Sequence, residues 1–212
     1  MPDRACAVRR TAAAVALLTL AAGVGIVRWT SAGNGGGEDE GPRARGPAPL
    51  PVEASSLYQF DDLASMVVAS DLVVRARVDS TARGRLVGEG DAAVVSRIDT
   101  LEVEEVLAGD ASLDSAASTL LVEEEGWLGD GTAIAVNGLA PSEAGMDAIW
   151  FLDRRPDPEV PGYLVINHQG RFVVDGDRLE GADGKDPLVA ALEPLGPDGL
   201  TSAVRQVVGP MG

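Results

Sequence analysis

The hydrophobic pattern divides the chain into three stretches. Residues 11–27, TAAAVALLTLAAGVGIV, are 17 uncharged and mostly apolar positions behind the basic flank MPDRACAVRR. Residues 33–53, GNGGGEDEGPRARGPAPLPVE, show no apolar period, the composition of a linker that cannot bury enough surface to fold. From Ser55 onward apolar residues recur at helix or strand spacing. The expected organisation is a signal peptide or membrane anchor over 1–32, a Gly/Pro-rich linker over 33–54, and one folded domain over 55–212.

Inside that domain, Leu57, Phe60, Leu63, Ala64 and Val67 fall at helical spacing behind Ser55 or Ser56 as a cap. DLVVRARVDS then alternates strictly, with Leu72, Val74, Ala76 and Val78 on one face, and reads as a half-buried strand. ARGRLVGEGD reads as turn. In AAVVSRIDTLEVEEVLAG, Val94, Ser96 and Ile98 share one phase but Leu101 and Val103 the other, which predicts a bulge near Asp99 or Thr100. Further strands are expected at 118–124, 146–153, 162–168 and 171–175, a spacing that implies a barrel or a sandwich. In LVINHQGRFVV, Asn167 to Gly170 fits a hairpin turn with His168 at its tip. Residues 126–147 form the one long irregular segment. Asp186 and Pro187 open a short helix, and Leu200, Val204, Val207 and Val208 line a final one stopped by Gly209 and Pro210.

The N-terminal pattern points to export. An apolar helix over 11–27 would be about 26 Å long, close to the roughly 30 Å of a hydrocarbon core. Arg4, Arg9 and Arg10 would stay inside and the rest of the chain outside, anchored or secreted after cleavage near Thr30 to Ala32. Cys6 precedes the apolar run, and no cysteine follows it, so the domain has no disulfide and no thiolate nucleophile. Charge is uneven as well. Residues 53–212 carry eleven basic and 29 acidic residues, near −18, a field that repels phosphate backbones and disfavours nucleic acid as a partner.

Motifs for chemistry are sparse. The chain contains no G-x-S-x-G, no phosphate-binding G-x-x-x-x-G-K-[ST], no G-x-G-x-x-G and no H-E-x-x-H, and its single histidine, His168, cannot form a two-histidine zinc site. Glu123, Glu124 and Glu125 read as a solvated strand end. DGDRLEGADGKD brings Asp175, Asp177, Glu180, Asp183 and Asp186 close in sequence, but Leu179 stands where an EF-hand needs an oxygen ligand, and turn chemistry explains the run equally well. Trp127 reads as a barrel cap ahead of an exposed anchor. No catalytic, cofactor-binding or metal residue and no cofactor is assigned from sequence.

Over residues 60–180, the order ASDLVVRARVDS, VEEVLAGD, LLVEEEGW, GMDAIWFLD, GYLVIN and GRFVVDGDRL resembles a group of uncharacterised exported bacterial proteins. It is similar, more distantly, to the netrin-like domains of tissue metalloproteinase inhibitors, which implies a small antiparallel barrel of the oligonucleotide-binding (OB) type. Those inhibitors act through an N-terminal disulfide-bonded cysteine, which this domain lacks, so their activity does not carry over. The expected fold is mainly β, an OB-like barrel with flanking N- and C-terminal helices. The expected function is an acidic binding or interaction module of the cell envelope, with an unidentified protein or small-molecule partner and a membrane contact through the N-terminal segment. An extracytoplasmic enzyme with a carboxylate- or serine-based site is the alternative.

Overall fold

The computed structural model describes residues 48–54, 58–90, 93–109, 118–155, 162–182 and 185–209. The apolar run 11–27, Cys6, Ser55 to Leu57 and Asp183 lie outside them. Among the described residues no helix is long and apolar enough to cross a membrane.

Two long strands set the architecture. β2 (Leu72–Val87) and β3 (Val94–Ala108) form an antiparallel ribbon. β4 (Thr119–Leu128) adds to β3, and β6 (Asp147–Arg154) pairs with the first half of β2, Leu72–Arg77. β7 (Tyr163–Val165) bridges β6 and β4, antiparallel to the first and parallel to the second. The ring β2-β3-β4-β7-β6-β2 is therefore closed, and its one parallel contact is β4–β7. The expected mainly β, OB-like barrel with helices is what the structure shows. β8 (Arg171–Asp175) and β9 (Arg178–Glu180) extend the sheet beyond β6.

β6 explains how this barrel acquires two cores. Its residues 148–152 are all buried: Ala148, Trp150 and Leu152 point into the barrel with Val74, Leu101 and Val122, while Ile149 and Phe151 point outward. Outside, α1 (Leu63–Ala69), α2 (Pro187–Leu192) and α3 (Gly196–Val208) cover them with Met66, Val189, Leu200 and Val204. An apolar run without alternation is the signature of a strand covered on both faces.

Several local expectations are corrected. α1 begins at Leu63, not Ser55, because the Asp62 carboxylate accepts the Ser65 N–H at 2.7 Å and supplies the cap. β2 does not turn at Ala82 but runs to Val87. Gly84 serves close approach there, since a Cβ would lie 2.3 Å from Ser96 Oγ. The bulge falls on β2, where Asp79 is the extra residue between Val78↔Leu101 and Ser80↔Thr100. Part of the irregular segment is a strand, β5 (Ile134–Val136), and its parallel partner is β1 (Leu50–Val52), the last residues of the stretch read as linker. Asn137, in the left-handed region at φ 50°, clamps that pair by bonding both Ala54 N–H and Ala54 carbonyl at 2.8 Å.

The hairpin at His168 is also replaced. β7 and β8 both run antiparallel along the same edge of β6, so Ile166 to Gly170 is an excursion within one strand line. Phe151 closes its neck, donating its N–H to Gly170 O at 2.8 Å and accepting from Ile166 N at 3.0 Å. The excursion turns inward. Gln169 is 1% exposed; it accepts from Phe60 N, and its amide donates to Phe60 O and Asp186. His168 is not an exposed tip: its imidazole is 15% exposed, with Nε2 3.5 Å from Asp186 Oδ2. Asp186 caps α2 through Leu188 N and Val189 N. Burial alone would raise its pKa, but the Gln169 amide, the two helix N–H groups and His168 outweigh it, and the net shift is downward.

Two measurements check this account. Phe172→Ala removes a fully buried ring packed edge-on against Phe151 and should lower unfolding stability by about 3–5 kcal/mol in urea titration. Asp186→Ala removes a helix cap and the carboxylate partner of the buried Gln169 amide, with an expected cost of roughly 2–4 kcal/mol.

Candidate functional site

β3 keeps its inward phase where its hydrophobicity changes. Val103 and Leu101 face the barrel interior, and the next two inward positions are Asp99 and Arg97, 0% and 7% exposed. β4 behaves alike: Leu120 and Val122 point inward, followed by Glu124 at 7% exposure, paired across the ladder with Arg97. From β8, Arg171 enters at the same depth beside Trp150, its guanidinium 5.3 Å from the indole centroid. Two arginines and two carboxyl groups therefore form a charged layer on top of the apolar ones.

The segment between β5 and β6 seals it. Arg97 Nη1 donates to Ser142 O at 2.6 Å, Arg171 Nη2 donates to Ala140 O, and the Ser142 hydroxyl donates to Asp99 Oδ2. Arg171 Nη1 meanwhile forks across Glu124 Oε1 and Oε2 at 2.6 and 2.8 Å. Ser142 is fully buried. Trp127 caps the layer from the side, with Arg97 at 4.3 Å and Arg83 at 5.3 Å from its ring centroid.

The two carboxyl groups are not equivalent. Glu124 accepts Arg171 Nη1 with both oxygens; Asp99 has the serine hydroxyl and the more distant charge of Arg97. Burial, and then the neighbouring Glu124 carboxylate, push Asp99 up to about 7, against the opposing pull of Ser142 and Arg97. Near neutrality Asp99 can therefore hold or release a proton, a state that suits general acid or base work only where substrate can reach it.

All five side chains, Arg97, Asp99, Glu124, Ser142 and Arg171, are buried. Two open hollows lie elsewhere. One is lined by Arg75, Glu104, Glu105 and Arg205, which pair with one another, and a second lies between β9 and the 3₁₀ turn Glu193–Leu195.

The sequence-based candidates are redistributed accordingly. Glu123 and Glu124 are buried rather than solvated, and only Glu125 of that run is exposed. Glu123 faces away from the layer, paired with Arg85 and Arg155. The acidic run 175–186 does not converge: Asp175 and Asp177 flank an exposed turn at Gly176 while Asp186 points inward at its helix. Among the described residues no group of three metal-ligating side chains comes together. Ser142, Asp99, Arg97 and Arg171 were not legible as a site, although one signal was present: in the inward phase β3 sets Arg97 and Asp99 next to Leu101 and Val103, and β4 sets Glu124 next to Leu120 and Val122. No protein-family model and no curated protein matches this chain, so the site is read from its geometry alone.

The raised Asp99 has a definite sign in stability. The folded state holds a proton that the unfolded chain releases near 3.8, so this contribution is complete below about 4 and is lost as pH rises through about 7. Asp99→Asn keeps an oxygen for Ser142 and imitates the protonated acid. In urea titrations from pH 4.5 to 8.5, the variant should show a flatter pH profile than the native chain and a higher midpoint at pH 8. Parallel profiles would show that Asp99 does not titrate in this window.

Proposed function

We propose that this chain is an exported, acidic binding module of the cell envelope, tethered to the membrane by its N-terminal apolar segment or released from it by cleavage. The observation that carries the reading is the state of the barrel interior. Side chains fill it, and Asp99 and Glu124, the carboxylates that converge there, lie under residues 137–146, a segment fastened by three hydrogen bonds. The two hollows described above are open and charge-flanked. Such a molecule works through its surface, as barrels of this type commonly do. The basic flank followed by 17 apolar residues supports export, and the near −18 charge of residues 53–212 supports a partner other than nucleic acid.

A second reading has one observation in its favour. Ser142 donates to Asp99 beside Glu124, the kind of hydroxyl–carboxylate contact that joins a nucleophile to its base. An enzyme of this kind requires residues 137–146 to lift.

Two experiments separate the readings. In intact cells Cys6 should resist a membrane-impermeant thiol reagent while a cysteine at Gly36→Cys reacts; labelling of Gly36→Cys only after lysis would overturn export. Full-length chain carrying Asp99→Asn should capture the same envelope components by cross-linking as the native chain. Loss of an activity on that substitution, with the fold intact, would favour the enzyme.

A further inference from the structure

The second half of β2 departs from the barrel it begins. Up to Arg77 it pairs with β3 on one edge and β6 on the other. From Ser80 to Val87 it pairs with β3 alone, and among the described residues no other strand takes its outer edge. Every residue from Asp79 to Val87 is exposed except Gly84, with Leu86 63% and Val87 47% exposed. An unpaired edge presents a row of backbone donors and acceptors to a further strand.

The charge of this strand is opposite to that of the rest of the domain. β2 carries Arg75, Arg77, Arg83 and Arg85 against the single acid Asp79, so four of the eleven basic residues after Val52 lie on one element. The two at the free edge are held in position. Arg83 stacks on Trp127, and Arg85 donates its Nε to Glu123 at 3.2 Å while remaining 51% exposed. That bond leaves the Nη fork of Arg85 directed away from Nε, a shape that matches a carboxylate.

We propose that the outer edge of β2, Ser80–Val87, accepts an extended acidic peptide segment by strand addition, with Arg83 and Arg85 engaging its carboxylates and Leu86 and Val87 its apolar side chains. This deepens the binding-module reading and rests on it. Main-chain bonds supply affinity in this mode, and the side chains flanking the edge supply selectivity. A second copy of the chain fits less well. Antiparallel pairing of two β2 edges would set arginines against arginines, and like charges across a ladder destabilise it.

The global field makes the test discriminating. A domain near −18 attracts cationic peptides at long range, so a preference for an acidic one can only come from the local arginines. The probes are acetyl-TVTEETVT-amide and its lysine counterpart acetyl-TVTKKTVT-amide, titrated against detergent-solubilised full-length chain. The acidic peptide should bind at least about tenfold tighter and should slow amide exchange in Ser80–Val87. Arg83→Glu with Arg85→Glu should abolish that preference, Arg85→Ala should weaken it, and Arg178→Glu, on the distant β9, should leave it unchanged. Equal or tighter binding of the lysine peptide, or protection confined to other segments, overturns the proposal. Tighter binding of an oligothymidylate than of the acidic peptide overturns it in favour of nucleic acid. Because export and envelope cross-linking are measured separately, failure here leaves the binding-module reading standing.

Discussion

The six-residue pairing of Leu72–Arg77 with Leu152–Asp147 closes the barrel, and much of the remaining structure follows from where that pairing stops. Closure gives β6 one face inside and one outside, so its apolar run must be covered twice, once by the barrel layers and once by the three helices. It also ends at the level of the charged layer. Beyond it β2 has lost a partner, and the extra residue Asp79 marks the change. A bulge increases local twist and bends the strand that carries it. The same strand is therefore a barrel stave in its first half and an open edge in its second.

The charged layer is the costly part of this arrangement. Two arginines and two carboxyl groups are taken out of water, and attraction among them offsets the desolvation only where their remaining hydrogen-bonding groups find partners. The carbonyls of Ala140 and Ser142 and the Ser142 hydroxyl supply such partners, which makes residues 137–146 part of the barrel. Protonation of Asp99 relieves its repulsion with Glu124. The layer thus couples the protonation of one carboxyl to the seating of one segment, and that segment continues from β5, to which β1 is clamped.

A second polar junction does comparable work on the outside. Gln169, His168 and Asp186 join the excursion between β7 and β8 to the start of α2 and to the backbone of Phe60. Buried amides and carboxylates in such a junction are specific because each has few satisfactory partners, and a missing one leaves the others unpaired. The helices are consequently held to the barrel by directional bonds as well as by apolar contact.

The strands at 71–80, 146–153 and 171–175, the two C-terminal helices with their Asp186 and Gly209 boundaries, and the mainly β class are written in local sequence pattern. These are legible because period, capping residues and β-branched content act within a few residues of one another. The phase of β3 is instead a property of the assembled barrel. A run reading Arg97, Ile98, Asp99 suggests that Ile98 points inward, and the chain instead turns both charges inside because Glu124 and Arg171 arrive at the same depth. The tertiary structure likewise decides that Glu123 and Glu124 are buried and that His168 faces a helix cap rather than solvent. An inward charge is tolerable only when a counter-charge from a distant strand meets it, and the register that brings the two together belongs to the closed barrel, not to any local segment.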